Sequence, residues 1–281
     1  MSVTYEIVDV FTGRAFAGNP LAVVFGADGL GTPRLQAIAR EFNLSETAFV
    51  LPVTEAGADY RVRIFTPGAE LPFAGHPSVG TAVTLLRRGE LKAGTVVQEC
   101  GAGLLELTVE DGRATLTGAR PSPLKALDAG PLLSAAGLAA EDLAGDAYQT
   151  GSGLDHSFLP VRADAVARAA STPRADVPKV YLFAWDAEAS RAHARLFAPG
   201  IGVPEDPATG SAALGLGSYL VGTGLLPADG VSAYTVDQGE FISRPSLLEC
   251  EVTAEGGVAV GVRVTGDVVA VAKGELVALP A

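Results

Sequence analysis

Apolar residues follow two rhythms along this chain. Alternation at 4–10 and 60–65, and apolar runs at 21–25 and 48–51, predict strands. Between them Thr32-Pro33 opens a helix, with Thr as the N-cap and Pro in the first turn. Leu35, Ile38, Ala39 and Phe42 recur at helical spacing, and Asn43 ends the element. A helix over 77–88 follows, with Val79, Ala82, Val83 and Leu86 inside, then two or three strands over 94–118. The second half runs the same course. A short helix is predicted near 131–137, strands at 157–161, 179–184 and 192–197, and a helix at 163–170. A small-residue helix at 211–221 and three or four strands over 231–279 complete it. Many strands and few helices in each half predict an α+β fold of two pseudo-symmetric halves. Each half is a curled, mostly antiparallel sheet around one central helix. Ala and Gly on several faces of 212–217 suit burial better than a surface. The halves are predicted at 1–120, which a strand at 271–281 would complete, and 121–270, with Pro121-Ser122-Pro123 as the crossover.

Two stretches look like copies of each other, one opening Phe65-Thr66-Pro67-Gly68 and the other Phe197-Ala198-Pro199-Gly200-Ile201-Gly202. Each reaches a small residue, a Gly and a polar residue, Ala74-Gly75-His76 and Thr209-Gly210-Ser211, and each has a Gly five residues on, Gly80 and Gly215. Both read as loops delivering the chain onto a helix N-terminus, where unpaired amides and the helix dipole attract an anion. Two such ends facing each other predict a grip on a small carboxylate-bearing molecule.

Composition narrows the options. A length of 281 residues with 48% hydrophobic content supports a substantial core, and 34 Gly and 18 Pro spread along the chain mark many turns. A net charge of −12 with no Lys/Arg cluster beyond Arg87-Arg88 argues against nucleic acid as a partner, so any anion site must be local. Cys100 and Cys250 are too few and too distant for a disulfide framework or zinc cluster, and read as two buried thiols at related strand positions. The first eleven residues carry acids and no basic leader, and there is no 18-residue apolar run. A cytoplasmic location and no membrane partner are the expectations.

Moving a proton on carbon requires a base, stabilisation of the anion formed, and an acid to return the proton. One carboxylate serves as both base and acid if removal and return share a face. Glu46 lies where a helix hands over to an apolar strand, and desolvation there would favour its neutral form. The plain alternative is an exposed loop carboxylate or a helix cap. His76 reads as a hydrogen-bond donor to a carboxylate, or as an N-cap before Pro77. Asp206 reads as an acceptor for a substrate amine or hydroxyl, or as a cap, and Ser211 as a substrate donor. Asn19 lines a cleft or simply forms a turn. His156 and His193 read as solvated or structural. Walker, dinucleotide, nucleophile-elbow and His-Glu-x-x-His patterns are absent, and three scattered His argue against a metal site.

Several segments together carry a family resemblance: Asn19-Pro20, Asn43-Leu44-Ser45-Glu46-Thr47, Phe73-Ala74-Gly75-His76-Pro77, and Glu205-Asp206-Pro207-Ala208-Thr209-Gly210-Ser211-Ala212. With the late Gln238-Gly239 and Arg244-Pro245-Ser246, this ordered set resembles the phenazine-biosynthesis PhzF-like family across nearly the whole chain. The resemblance implies a diaminopimelate-epimerase-like fold, with the active site between the halves, no cofactor and a homodimer. It also implies an isomerase in which Glu46 is the catalytic acid/base, His76, Asp206 and Ser211 surround the substrate, and Gly75 and Gly210 present backbone amides. Racemases and epimerases of that fold carry a thiol at each repeat loop. Ala74 and Thr209 stand there instead, which counts against the alternative of amino-acid epimerisation. A non-catalytic small-molecule-binding protein is the alternative from outside the enzymes.

Overall fold

A computed structural model describes residues 2–172, 178–201 and 203–280. Gly202, within the second repeat, lies outside the described residues. The chain divides into two compact units, Met1–Leu116 with Thr265–Ala281, and Thr117–Val264.

In the first unit, β1 (Thr4–Val10) pairs antiparallel with β2 (Asn19–Phe25), Val10 lying opposite Asn19. After α1 (Thr32–Phe42), β3 (Glu46–Leu51) runs parallel to β2, with Glu46 opposite Leu21. β4 (Tyr60–Phe65) is antiparallel to β3, and the short β5 (Glu70–Leu71) folds back on β4. The central helix α2 (Gly75–Arg87) follows, then β6 (Gly94–Cys100), parallel to β4, and β7 (Gly103–Glu110) and β8 (Arg113–Thr117), each antiparallel to its predecessor. The end of the chain's last strand pairs with both β1 and β8, with Glu275 opposite Thr4. The pairings of β1, β2, β3, β4, β6, β7, β8 and the last strand thus close on themselves around α2. Every residue of α2 from Gly75 to Leu85 is buried. Gly80 allows the close approach: a Cβ there would lie 2.6 Å from Leu21 Cδ2 and 2.8 Å from Val10 Cγ2. By contrast, α1 is amphipathic, and its buried Leu35, Ile38 and Ala39 pack with Val24, Phe49 and Phe65.

The second unit opens with β9 (Lys125–Ala126), α3 (Ala129–Ala135), β10 (Tyr148–Gly151) and β11 (Asp155–Pro160). It continues through α4 (Ala163–Arg168), β12 (Val180–Asp186), β13 (Arg191–Ala198) and β14 (Val203–Asp206). Next come α5 (Gly210–Gly222), β15 (Gly230–Gln238), β16 (Ser246–Glu255) and β17 (Val258–Glu275). From β10 to β16 the pairing senses are antiparallel (β10 with β11), parallel (β11 with β12), antiparallel (β12 with β13), parallel (β13 with β15) and antiparallel (β15 with β16). That is the sequence of senses found from β1 to β7. The inner helix is again buried, from Gly210 to Val221. Gly215 lets α5 lie on β10, where a Cβ would come 3.1 Å from Gly151 Cα.

Some local expectations shift. Gly31, not Thr32, occupies the cap of α1, and Thr32 Oγ1 instead accepts a 2.8 Å hydrogen bond from Arg63 Nη2. α2 starts two residues earlier than its periodicity predicts, so His76 lies inside the first turn and Ala74 is the cap. Pro77 is tolerated there because first-turn amides have no intrahelical acceptor. The last strand ends at Glu275. The two thiols are not equivalent: Cys100 ends β6 and is half-buried, whereas Cys250 is buried within β16. Among the described residues no helix is long and apolar enough to cross a membrane.

Candidate active site

In the first unit the strand order itself assembles the group. Glu46 is the first residue of β3, and β3 lies parallel to β2, whose first residue is Asn19. Asn19 is fully buried, and Gly18 before it, at φ 65°, makes the turn onto β2. A Cβ at Gly18 would approach the Val10 carbonyl oxygen to 2.3 Å, so the turn onto β2 is tight. The first turn of α2 brings Gly75 and His76 to the same place. His76 Nε2 lies 3.5 Å from Glu46 Oε2, with the side chains 5% and 17% exposed. That separation exceeds a well-formed hydrogen bond. Among the described residues His76 Nε2 is buried with no hydrogen-bond partner. Burial pushes the His76 imidazole down to about 3, so at neutral pH it is uncharged and does not form an ion pair with the carboxylate. The cap residue Ala74 offers α2 no side-chain acceptor. Glu46, His76 and the uncapped amide end of α2 therefore converge.

The second unit places Asp206, Gly210 and Ser211 along one short path, from the end of β14 into α5. Thr209, at the cap, does not close the helix with its own hydroxyl. Thr209 Oγ1 donates instead to Asp206 Oδ2 at 2.6 Å. Gln238, at the end of β15, braces this loop from behind. Its Nε2 donates to the Asp206 carbonyl at 2.8 Å and to Thr209 Oγ1 at 2.9 Å, and its Oε1 accepts from the Thr209 amide at 3.3 Å. Ser246 Oγ donates to the Pro207 carbonyl at 3.0 Å. Gly239, at φ 78°, turns where a Cβ would meet the Arg244 and Pro207 carbonyl oxygens at 2.3 and 2.6 Å. The late Gln-Gly and Arg-Pro-Ser segments thus support the second repeat loop.

Of the two residues read as solvated or structural, His156 is buried and bonded within the fold, and His193 is exposed. His156, on β11, is 2% exposed, and its Nε2 lies 2.9 Å from Ser211 Oγ. Burial, and then the charge of Lys179, hold its imidazole well below the usual range, so it is neutral. Nothing local in the sequence around His156 signals a partner 55 residues away. The missed signal is the topology, since α5 lies across β10 and β11. His193 is a surface residue, 53% exposed, 3.5 Å from Asp237. Neither cysteine is on α2 or α5. No group of three or more His, Cys, Asp or Glu among the described residues has the arrangement to hold a metal ion.

Comparison with known proteins adds an independent line. Residues 8–274 match the PhzC-PhzF family, described as phenazine biosynthesis-like protein. A relative from Mesorhizobium japonicum named as an uncharacterized isomerase is 39% identical, covering 97% of this chain and 98% of its own. The trans-2,3-dihydro-3-hydroxyanthranilate isomerase of Pseudomonas aeruginosa is 33% identical, covering 96% and 98%. A crystal structure of a Bacillus anthracis phenazine biosynthesis protein of the PhzF family superposes with a TM-score of 0.86, at 27% identity over 99% of this chain and all of that one.

Proposed function

The chain belongs to the phenazine biosynthesis-like PhzC-PhzF family and is an isomerase, and from that premise we propose that it relocates a proton on a small carboxylate-bearing substrate, with Glu46 as the acid/base group and no cofactor. One observation carries this reading. A carboxylate and a neutral, unpartnered imidazole nitrogen stand 3.5 Å apart at a helix start that has no side-chain cap. Buried polar groups normally find partners, so an open imidazole nitrogen beside a carboxylate suits a site kept for a ligand.

In the proposed step, the Glu46 carboxylate takes a proton from carbon and becomes the acid. The C–H electron pair moves into an adjoining double bond. Glu46, its carboxyl proton having exchanged with solvent, then delivers one proton to a carbon further along the system, so substrate and product have the same composition. The developing negative charge is met by the first amides of α2 and by His76, groups already oriented before reaction. In the second unit, Asp206 and Ser211 are proposed to bind polar substituents, and Gly210 to offer its backbone amide.

The compound to try first is trans-2,3-dihydro-3-hydroxyanthranilate, named in the Pseudomonas relative. Reaction in deuterated water, followed by NMR, should show deuterium entering at the new C–H position with wild-type protein and not with Glu46→Gln or Glu46→Ala. Turnover near the wild-type rate in both variants would remove Glu46 from the mechanism.

A further inference from the structure

We propose that His156 is a positioning residue that fixes the Ser211 hydroxyl as a donor, so that the substituent held at the start of α5 is a hydrogen-bond acceptor such as a carboxylate. This rests on the substrate-binding role proposed for Ser211 and states which chemistry that role selects.

The inference begins with a hydrogen-bond inventory. His156 is uncharged, so only one of its nitrogens carries a proton. Nε2 is 2.9 Å from Ser211 Oγ, and both side chains are buried. Nδ1 is buried and has no partner among the described residues. An orphaned buried N–H is rarer than an under-used acceptor, so the proton resides on Nε2 and Nδ1 is bare. Nε2–H then donates to Ser211 Oγ. With a donor already engaging its oxygen, the hydroxyl is left with its own O–H to direct elsewhere.

The surroundings support a fixed geometry. His156 Cα is paired with Thr150 across β10 and β11, and its ring is 6.4 Å from that of Phe158. Ser211 is in the first turn of α5, which has no side-chain cap. A carboxylate at this place would receive the serine O–H together with helix-start amides, a charge-assisted set. A substituent that only donates would find no acceptor in the serine hydrogen.

The test uses the full chain and reads binding and tautomer, not turnover, so its outcome is separate from that of the Glu46 reading. With 15N-labelled histidine, His156 should show the Nε2–H tautomer. Calorimetry with anthranilate as probe should show binding to the wild type, weakened about tenfold by Ser211→Ala and about threefold by His156→Phe. His156→Gln, whose amide N–H can replace Nε2–H, should bind as the wild type does, which also covers a failure of the Phe variant to fold. In a Ser211→Ala background, His156→Phe should cost nothing more. An Nδ1–H tautomer, no anthranilate binding to the wild type, or an undiminished His156→Phe effect without the serine would each overturn the proposal.

Discussion

At the start of α2 a carboxylate stands beside a buried imidazole, and at the start of α5 an imidazole stands against a hydroxyl. The scaffolds behind these two places are closely alike. In each unit an Arg two residues before the repeat's Phe forks onto a Glu on the returning strand. Arg63 meets Glu70 at 2.7 and 2.6 Å, and Arg195 meets Glu205 at 3.0 and 2.7 Å. Each guanidinium also lies over the Phe ring, 5.2 Å from Phe65 and 4.8 Å from Phe197. The difference is depth. The first pair is 21% and 37% exposed and the second 8% and 8%. Arg195 additionally donates to the Val166 and Ala169 carbonyls at 3.0 and 2.5 Å. A duplicated framework has thus kept its loop clamp while the residues at the helix tips have diverged. The proton chemistry proposed above is assigned to the first tip, and the second is braced by Gln238 and His156.

Four measurements break or sharpen that contrast. The largest effect should come from Glu46→Gln, which removes the proposed acid/base and is expected to lower kcat by about a hundred- to ten-thousandfold. Circular dichroism and thermal melting should meanwhile remain near wild type, because the change conserves shape. An equal loss of kcat from Ser211→Ala would erase the division of labour between the two tips.

Arg195→Met comes next. It strands Glu205 in a buried setting and releases two carbonyls, and urea unfolding should show a loss of about 3–5 kcal/mol. The same substitution at Arg63, where solvent screens the pair, should cost about 1 kcal/mol or less. Similar losses at the two sites would mean that depth is not what separates the clamps.

Acid should act through the buried imidazoles. His76 has its folded value lowered from 6.5 to about 3, so the unfolded chain binds a proton that the folded chain refuses. Its contribution is fully present above about pH 6.5 and declines as pH falls towards 3, by roughly 1.4 kcal/mol per unit. His76→Gln should flatten the urea midpoint against pH over that range, and His156→Gln should flatten it in the same direction. An unchanged slope in both variants would place the acid sensitivity elsewhere.

The smallest effect tests the brace. Gln238→Leu removes one donor from the Asp206 carbonyl and one from the Thr209 hydroxyl, and about 1–3 kcal/mol of stability should be lost. KM should rise with kcat nearly unchanged if the loop only binds. A fall in kcat alone would assign the second loop to the chemical step.

Much of this was legible beforehand for identifiable reasons. Periodicity marked α1 through Leu35, Ile38 and Ala39, and the Ala- and Gly-rich run of α5 announced a helix buried on all faces. The ordered motifs name Glu46, His76, Asp206 and Ser211 as candidates. Three features were not legible. His156 looked like an ordinary strand residue, Arg195 shared its parity with the exposed Arg191 and gave no sign of burial, and α2 began before its apolar pattern did.

By itself the sequence determined the elements, their order and the duplication, because these depend on short-range sterics and periodic burial. The tertiary structure alone decided which side chains meet. The 3.5 Å approach of His76 to Glu46, the grip of His156 on Ser211 and the reach of Gln238 into the loop at Asp206 follow from strand register and from how each inner helix crosses its sheet. Those contacts join residues tens of positions apart, and no local pattern encodes which distant partner the closed sheet will bring within reach.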